Sequence, residues 1–360
     1  MRDLANRLHV ENLDYRNADG IVLAANAGEP TVRIEDSTRV DPWMIAQIRR
    51  QGRTMVKTES QTASSDHVWV NGRLEPAGGP HLSVSDRGFQ FGDGVYETAR
   101  SVGGRVVELA EHVARLRHSA DALDIPLPAD VEAVLAGGIR ELLKADGLDA
   151  EGVSVSIRVT VSRGATNDRT LLPAAPVPPT IVVQACRISS SPSAGGSTKG
   201  IHVITSSVRH DPRDPMATIK TTSRGPSIFA RVEARRAGAD DAIFLTTDGH
   251  LAEATQASLF FVRRGERGPE LCTPSLDCGI LEGTTRTWIL RWAERSGLRP
   301  VEGWFTPDDL AGADEAFVCA SVMGVVPVVR FNGKPVGTGE PGPWTLRARD
   351  ARETHARGGR

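Results

Sequence analysis

Amine chemistry in this chain has few places to come from. Of 43 basic residues only five are lysines: Lys57, Lys144, Lys199, Lys220 and Lys334. Arginine does not usefully release its proton, so a nucleophilic side-chain amine has to be one of these five. Lys57 stands in a polar N-terminal stretch, Lys144 ends a helical pattern, Lys199 lies in a Ser/Gly-rich linker and Lys334 in an Asn-Gly turn. Lys220 has the most suggestive surroundings, MATIKTTSRGP, with Ile219 before it and the hydroxyls Thr221, Thr222 and Ser223 after it. Partial burial there would disfavour the ammonium and leave a free amine near neutral pH. Taken alone, the segment describes a solvated lysine more simply.

Other residues gain meaning from the elements that carry them. GVYETARSV alternates so that Tyr96, Thr98 and Arg100 share one face, with Val95, Glu97 and Ala99 on the other. In GVSVSIRVTVSRG, Val153 to Val161 at every second position form an apolar face, and Arg158 lies on the polar one. Such polar faces could line one pocket, where an arginine suits a substrate carboxylate; a buried arginine paired with an internal acid is the equal alternative. Arg115 falls in a helix spanning 111–124, four residues after Glu111, so an ordinary i,i+4 pair is open to it. Thr284 and Thr285 follow Gly283 at the start of a helix near 284–296, a place that suits either a bound anion or plain capping.

The rest of the chain supplies the scaffold. VWVNGRL reads as a hairpin about Asn71-Gly72, further helices are expected at 130–146 and 226–237, and strands at TIVVQACRI, IHVITSSV, DAIFLTT, ASLFFV and EAFVCAS. DPWMIAQIRRQGRTMV, at 41–56, suggests a short amphipathic helix inside an N-terminal extension. A length of 360 residues fits about two domains, and 39% apolar with 24% charged residues describes an ordinary globular chain. The expected division is an extension at 1–65, a smaller domain at 66–190, a linker at 191–199, a larger domain at 200–345 and a tail at 346–360. A net charge of −2 gives no case for nucleic acid or an anionic membrane as partner. Cys186, Cys272, Cys278 and Cys319 form no CxxC pair, which argues against a zinc site or a disulfide framework and for a reducing compartment. With no apolar leader and no run of about 20 apolar residues, the expected location is the cytoplasm. There is no GxGxxG or P-loop, which disfavours a Rossmann or P-loop enzyme.

Seven segments, in order, resemble the fold-type IV pyridoxal-phosphate enzymes, which include branched-chain and D-amino-acid aminotransferases and aminodeoxychorismate lyase. They are SDRGFQFGDGVYET at 85–98, EHVARLRHSA at 111–120, SRG at 162–164, IKTT at 219–222, AGADDAIFLTTDGHLAEATQASLF at 237–260, GILEGTTR at 279–286 and DDLAGADEAFVCAS at 308–321. The resemblance implies an α/β chain of the α+β type, with pyridoxal 5'-phosphate in the cleft between two domains, and a homodimer. It makes Lys220 the Schiff-base lysine and proton shuttle, and Glu253 the carboxylate against the pyridine nitrogen. Arg115, Thr284, Thr285 and Ser321 match the phosphate cradle, Ser321 standing where the family usually has Thr. Tyr96, Thr98, Arg100, Arg158 and Arg224 are the expected substrate-binding residues. On this basis Arg115→Ala is expected to weaken cofactor retention more than folding.

The chain also departs from the family. The D-amino-acid aminotransferases place an Arg and a His after the SRG segment to trap the α-carboxylate; the matching positions here are Asp168 and Thr170, with Arg169 between them. After the lysine, Ser223 and Arg224 resemble the Asn-Arg of the lyase more than the Asn and Tyr of the branched-chain enzymes. The favoured activity is ping-pong transfer of an amino group between an amino acid and a 2-oxo acid. Lyase chemistry, releasing pyruvate and 4-aminobenzoate, is the runner-up, and a non-catalytic cofactor-binding relative is a second alternative.

Overall fold

The structure, a computed structural model, describes residues 65–188 and 199–359, together with the backbone of four strands nearer the N-terminus. Met1–Ala63 and Ser64–Arg360 are separate compact units. In the first, the strands Tyr15–Arg16, Ile21–Asn26, Glu29–Ile34 and Met55–Lys57 form one sheet in chain order. The helix expected at 41–56 lies outside the described residues, apart from Met55 and Val56, which are in the last of these strands. Of the linker expected at 191–199, Lys199 alone is described.

The second unit holds two sheets. Six strands pair antiparallel in the order Arg73–Pro76, His67–Val70, Thr180–Arg187, Ser154–Ser162, Gly94–Val102 and Arg105–Val106. The first two make the expected hairpin, and Asn71 and Gly72 both take positive φ (47° and 89°), as a two-residue primed turn requires. Helices Leu109–Ala122 and Val131–Ala145 cover one face of this sheet, where Val95, Val155, Ile157, Val159 and Val161 join Leu116, Leu135, Ile139 and Leu142 in a core. Gly138 lets the second helix seat against Trp69, since a Cβ there would come 2.6 Å from the indole. The opposite face carries Tyr96, Thr98 and Arg158, with Thr98 and Arg158 paired across the ladder.

The second sheet, of nine strands, is mixed. Ile201–His210 is parallel to Asp241–Thr246 on one side and to Gly324–Phe331 on the other, and Gly268–Pro274 is parallel to Arg299–Gly303. Asp241–Thr246 is buried at all six positions, as a strand covered on both faces should be. Helices Gly225–Arg236, Thr284–Ser296 and Pro343–Ala356 pack on this half. The last crosses the point where a tail is expected and buries Thr345, Ala348, Arg352 and Ala356. Among the described residues no helix is long and apolar enough to cross a membrane, and no cluster of His, Cys, Asp and Glu could hold a metal.

Candidate active site

Lys220 is set in place from outside its own half. A short turn, Pro215–Thr218, is capped by the Asp214 carboxylate, which accepts from Met216 N at 2.8 Å, and the chain then runs extended past the first residues of Gly94–Val102. Tyr96 N donates to Lys220 O (3.0 Å), Thr222 N donates to Gly94 O (2.9 Å), and Lys220 N donates to Ser119 Oγ (3.1 Å). Ile219 packs on the first-half core. The segment Lys220–Thr222 is therefore fixed by three bonds, two of them from the lysine backbone itself, to an antiparallel sheet and its helix, more rigid supports than a loop.

Its side chain opens into a cavity of about 730 Å³ lined by both halves of the unit. Tyr96, Thr98, Arg115 and Arg158 come from the first half, and Arg224, Glu253, Thr284, Thr285 and Ser321 from the second. Nζ lies 4.7 Å from the centre of the Tyr96 ring. Burial, together with the positive charge of Arg115, pushes the amine down to about 8, against the pull of Glu97 and Glu253. Burial pushes the Glu253 carboxyl up to about 7, although Lys220, Arg224 and Arg115 and the Leu281 N–H all favour its anion. Both groups are half-buried because they face the cavity, with protein on their other sides. The pair thus holds an amine that can be free and an acid poised between its two states near neutral pH.

An anion cradle lies in the same cavity. The helix Thr284–Ser296 begins at Gly283 with no side-chain cap, so its first N–H groups and its dipole are available to an anion. Thr284 Oγ1 lies 3.2 Å from Ser321 Oγ, which is 3.3 Å from His112 Nε2. His112 Nδ1 is 2.7 Å from Glu97, and Arg115 donates to the same carboxylate through Nε (2.7 Å) and Nη2 (2.8 Å). Burial works against the Glu97 anion, but the hydrogen bonds from Arg115 and His112, with the Arg115 charge, hold the carboxyl down to about 2. Arg115 also donates through Nη1 to Glu282 O (2.7 Å), tying the helix Leu109–Ala122 to the loop before the cradle helix.

The partner of Arg115 is therefore Glu97 and not Glu111, which revises what its removal should do. Arg115→Ala leaves a buried carboxylate with one fewer cation, at a cost of about 3–5 kcal/mol for a fully broken pair and less to the extent that His112 compensates. Urea unfolding of the cofactor-free protein should show this loss and its partial recovery in Arg115→Ala/Glu97→Gln. An Arg115→Ala protein as stable as wild type would contradict the assignment.

Among the expected substrate residues, Tyr96, Thr98, Arg158 and Arg224 line the cavity and Arg100 does not. Arg100 is 2% exposed and spent on Glu353 (2.7 and 2.9 Å) and Ser154 (3.0 Å). It shares a face with Tyr96 but lies further along the strand, against the C-terminal helix. Arg158 stacks over the Tyr96 ring at 4.0 Å, and Arg224 donates to Thr255 O. Neither has an ion-pair partner among the described residues. Asp168 and Thr170 lie outside the cavity wall, where Asp168 accepts from Thr170 and Ala174 and the buried Arg87 donates to the carbonyls of Thr170 and Leu171. Glu97 and His112 are site residues that strand parity alone passes over. Their signal is an acid on an otherwise apolar strand face, which calls for a cation on the covering helix.

Two α/β halves that enclose a deprotonatable lysine, a half-buried carboxyl and an anion cradle define an enzyme of amine chemistry. The profile of the amino-transferase class IV family matches residues 94–331, and the chain belongs to that family. It is 32% identical over 284 residues to a putative branched-chain-amino-acid aminotransferase of Methanocaldococcus jannaschii, covering 79% of this chain and 94% of the relative. It is 31% identical over 284 residues to a D-alanine aminotransferase of Bacillus licheniformis (79% and 95% covered) and 28% identical over 260 residues to an aminodeoxychorismate lyase of Vibrio harveyi (72% and 89% covered). Among solved structures, the branched-chain aminotransferase of Thermoproteus uzoniensis with norvaline superposes with a TM-score of 0.72 at 27% identity, covering 82% of this chain and 96% of that one.

Proposed function

We propose that this protein is a pyridoxal-phosphate-dependent aminotransferase that moves an amino group between an amino acid and a 2-oxo acid in a ping-pong cycle. The observation that carries the reading is that Lys220 and Glu253, drawn from different elements, line one cavity with an anion cradle in it. The residues fit the cofactor: an amine at about 8 suits its aldehyde, a carboxyl at about 7 suits its ring nitrogen, and an uncapped helix start with Arg115, Thr284, Thr285 and Ser321 suits its phosphate. When bound, the cofactor supplies an electrophilic carbon for amines and an electron sink for the substrate's Cα.

The chain's own groups account for the rest. Lys220 Nζ would hold the cofactor, and its lowered proton affinity suits it to take the Cα proton of the substrate and later return one near neutral pH. Glu253 becomes fully anionic when a cationic N–H is set against it, which keeps the ring nitrogen protonated. Arg158 and Arg224, which form no ion pair among the described residues, receive the substrate carboxylate, and Tyr96 and Thr98 shape the wall beside them. Arg100 is left out because Glu353 already neutralises it. The exposed Phe89 and Phe91 of the helix Arg87–Phe91, and the exposed Leu171 whose carbonyl Arg87 binds, support a second copy as partner. The buried cysteines Cys272, Cys278 and Cys319, which form no disulfide among the described residues, support a cytoplasmic location.

The holoprotein, mixed with single amino acids and no acceptor, is expected to release one equivalent of the matching 2-oxo acid per site and to turn over only when a second 2-oxo acid is added. D-Alanine, L-leucine and L-glutamate distinguish donor and handedness. Arg224 in the cavity wall, with Ser223 before it, favours the lyase as a second reading. Failure of all three donors, with pyruvate and 4-aminobenzoate formed from aminodeoxychorismate, would replace the first reading by that one.

A further inference from the structure

The helix Pro343–Ala356 lies beyond the segment that matches the family, yet it reaches the cavity wall. Arg352, 3% exposed, makes a two-pronged pair with Glu108, with Nη2 at 3.0 Å from Oε2 and Nη1 on Oε1. The same Nη2 donates to Thr285 Oγ1 at 3.3 Å. Glu108 stands immediately before the helix that carries His112 and Arg115, at φ 57°. That is a left-handed conformation which a residue with a side chain adopts at a cost of about 1 kcal/mol or more, so it persists only where the surroundings hold it.

The direction of the Arg352–Thr285 bond follows from chemistry alone. A guanidinium has donors and no acceptor, so Thr285 Oγ1 must accept, and its one hydrogen is left to donate elsewhere. Thr285 is 2% exposed, its hydroxyl has no acceptor among the described residues, and the residue lines the cavity. A buried donor in that position calls for an acceptor from the cavity side.

We propose that Arg352 is a positioning residue for the phosphate end of the cofactor, holding the Thr285 hydroxyl as a donor toward an anion in the cavity. Glu108 fixes Arg352 and, by ending on the same pair, registers the Arg115 helix against the cradle helix. The inference rests on the cofactor reading above.

The test compares the affinity of the cofactor-free protein for pyridoxal 5'-phosphate with its affinity for pyridoxal, which lacks the phosphate. Removing Arg352 alone would strand Glu108, so the informative variant is Arg352→Met with Glu108→Gln, which leaves no unpaired charge. Thr285→Val keeps the ion pair and deletes the hydroxyl. Each is expected to lower the preference for the phosphorylated ligand by roughly 10- to 100-fold, as for one lost bond to a charged group. The three substitutions together should lower it no further, because they remove one shared interaction. Arg352→Lys, which keeps a donor, should retain part of the preference. An unchanged preference in Arg352→Met/Glu108→Gln, or an equal loss for both ligands, would overturn the proposal and leave Arg352 a merely structural residue. A wild-type protein that binds neither ligand would instead overturn the cofactor reading.

Discussion

Replacing Lys220 with alanine is expected to lower amino-group transfer at least ~10⁴-fold, because the same atom holds the cofactor and moves the proton. Among the described residues no other lysine lines the cavity, so Lys144, Lys199 and Lys334 cannot stand in for it. The visible absorption of the holoprotein should vanish with the side chain, while the fold survives. Stability should show the opposite sign from activity. The folded lysine is held near 8 against an ordinary 10.5, so the unfolded chain binds more protons between those values, and stability of the cofactor-free wild type rises with pH across that window. Below pH 8 the burial cost is present in full and absent from the alanine variant. Thermal unfolding of the two cofactor-free proteins should therefore differ most in the variant's favour below pH 8 and converge toward pH 10.5. A variant that keeps a tenth of the wild-type rate would remove Lys220 from the mechanism.

The second large effect is expected at Glu253. Glu253→Gln keeps the volume and a hydrogen-bonding group but cannot become an anion, so kcat should fall by about 10²–10⁴ with a smaller change in cofactor retention. Here too the sign of the stability change is opposite. The carboxyl is raised from 4.5 to about 7, so the folded chain binds more protons between those values, and stability falls as pH rises through that window. Glutamine removes that burden, and the cofactor-free variant should melt higher than wild type at pH 8 and about equal to it at pH 4.5. A site that sacrifices stability for chemistry behaves in this way. An unchanged kcat, or a lower melting temperature at pH 8, would contradict the role.

Much of this is legible in the residues because it is local. The turn at Asn71-Gly72, the helix stop at Gly297 (φ 85°) and the parity of Val155, Ile157, Val159 and Val161 follow from backbone preferences that a few neighbours decide. The faces of Gly94–Val102 and Ser154–Ser162 are legible for the same reason, and they bring Tyr96, Thr98 and Arg158 to the cavity wall. Parity assigns a face and not a depth, so it groups Arg100 with Tyr96 although a helix some 250 residues later neutralises that arginine. That helix, PWTLRARDARETHA, is polar enough to read as a tail, and what docks it is Arg352 on Glu108 and Glu353 on Arg100. Glu97 escapes parity by the same route, since its partners Arg115 and His112 lie across a packed interface that only the fold creates.

The central claim is that the cofactor is joined to one particular nitrogen. Borohydride reduction of the holoprotein, digestion and mass mapping test it directly, since the five lysines fall at well-separated positions. The pyridoxyl phosphate group is predicted on the peptide that contains Lys220 and on no other. Its recovery on Lys199, Lys144 or another lysine, or its absence from a protein that carries the cofactor in stoichiometric amount, would contradict the account.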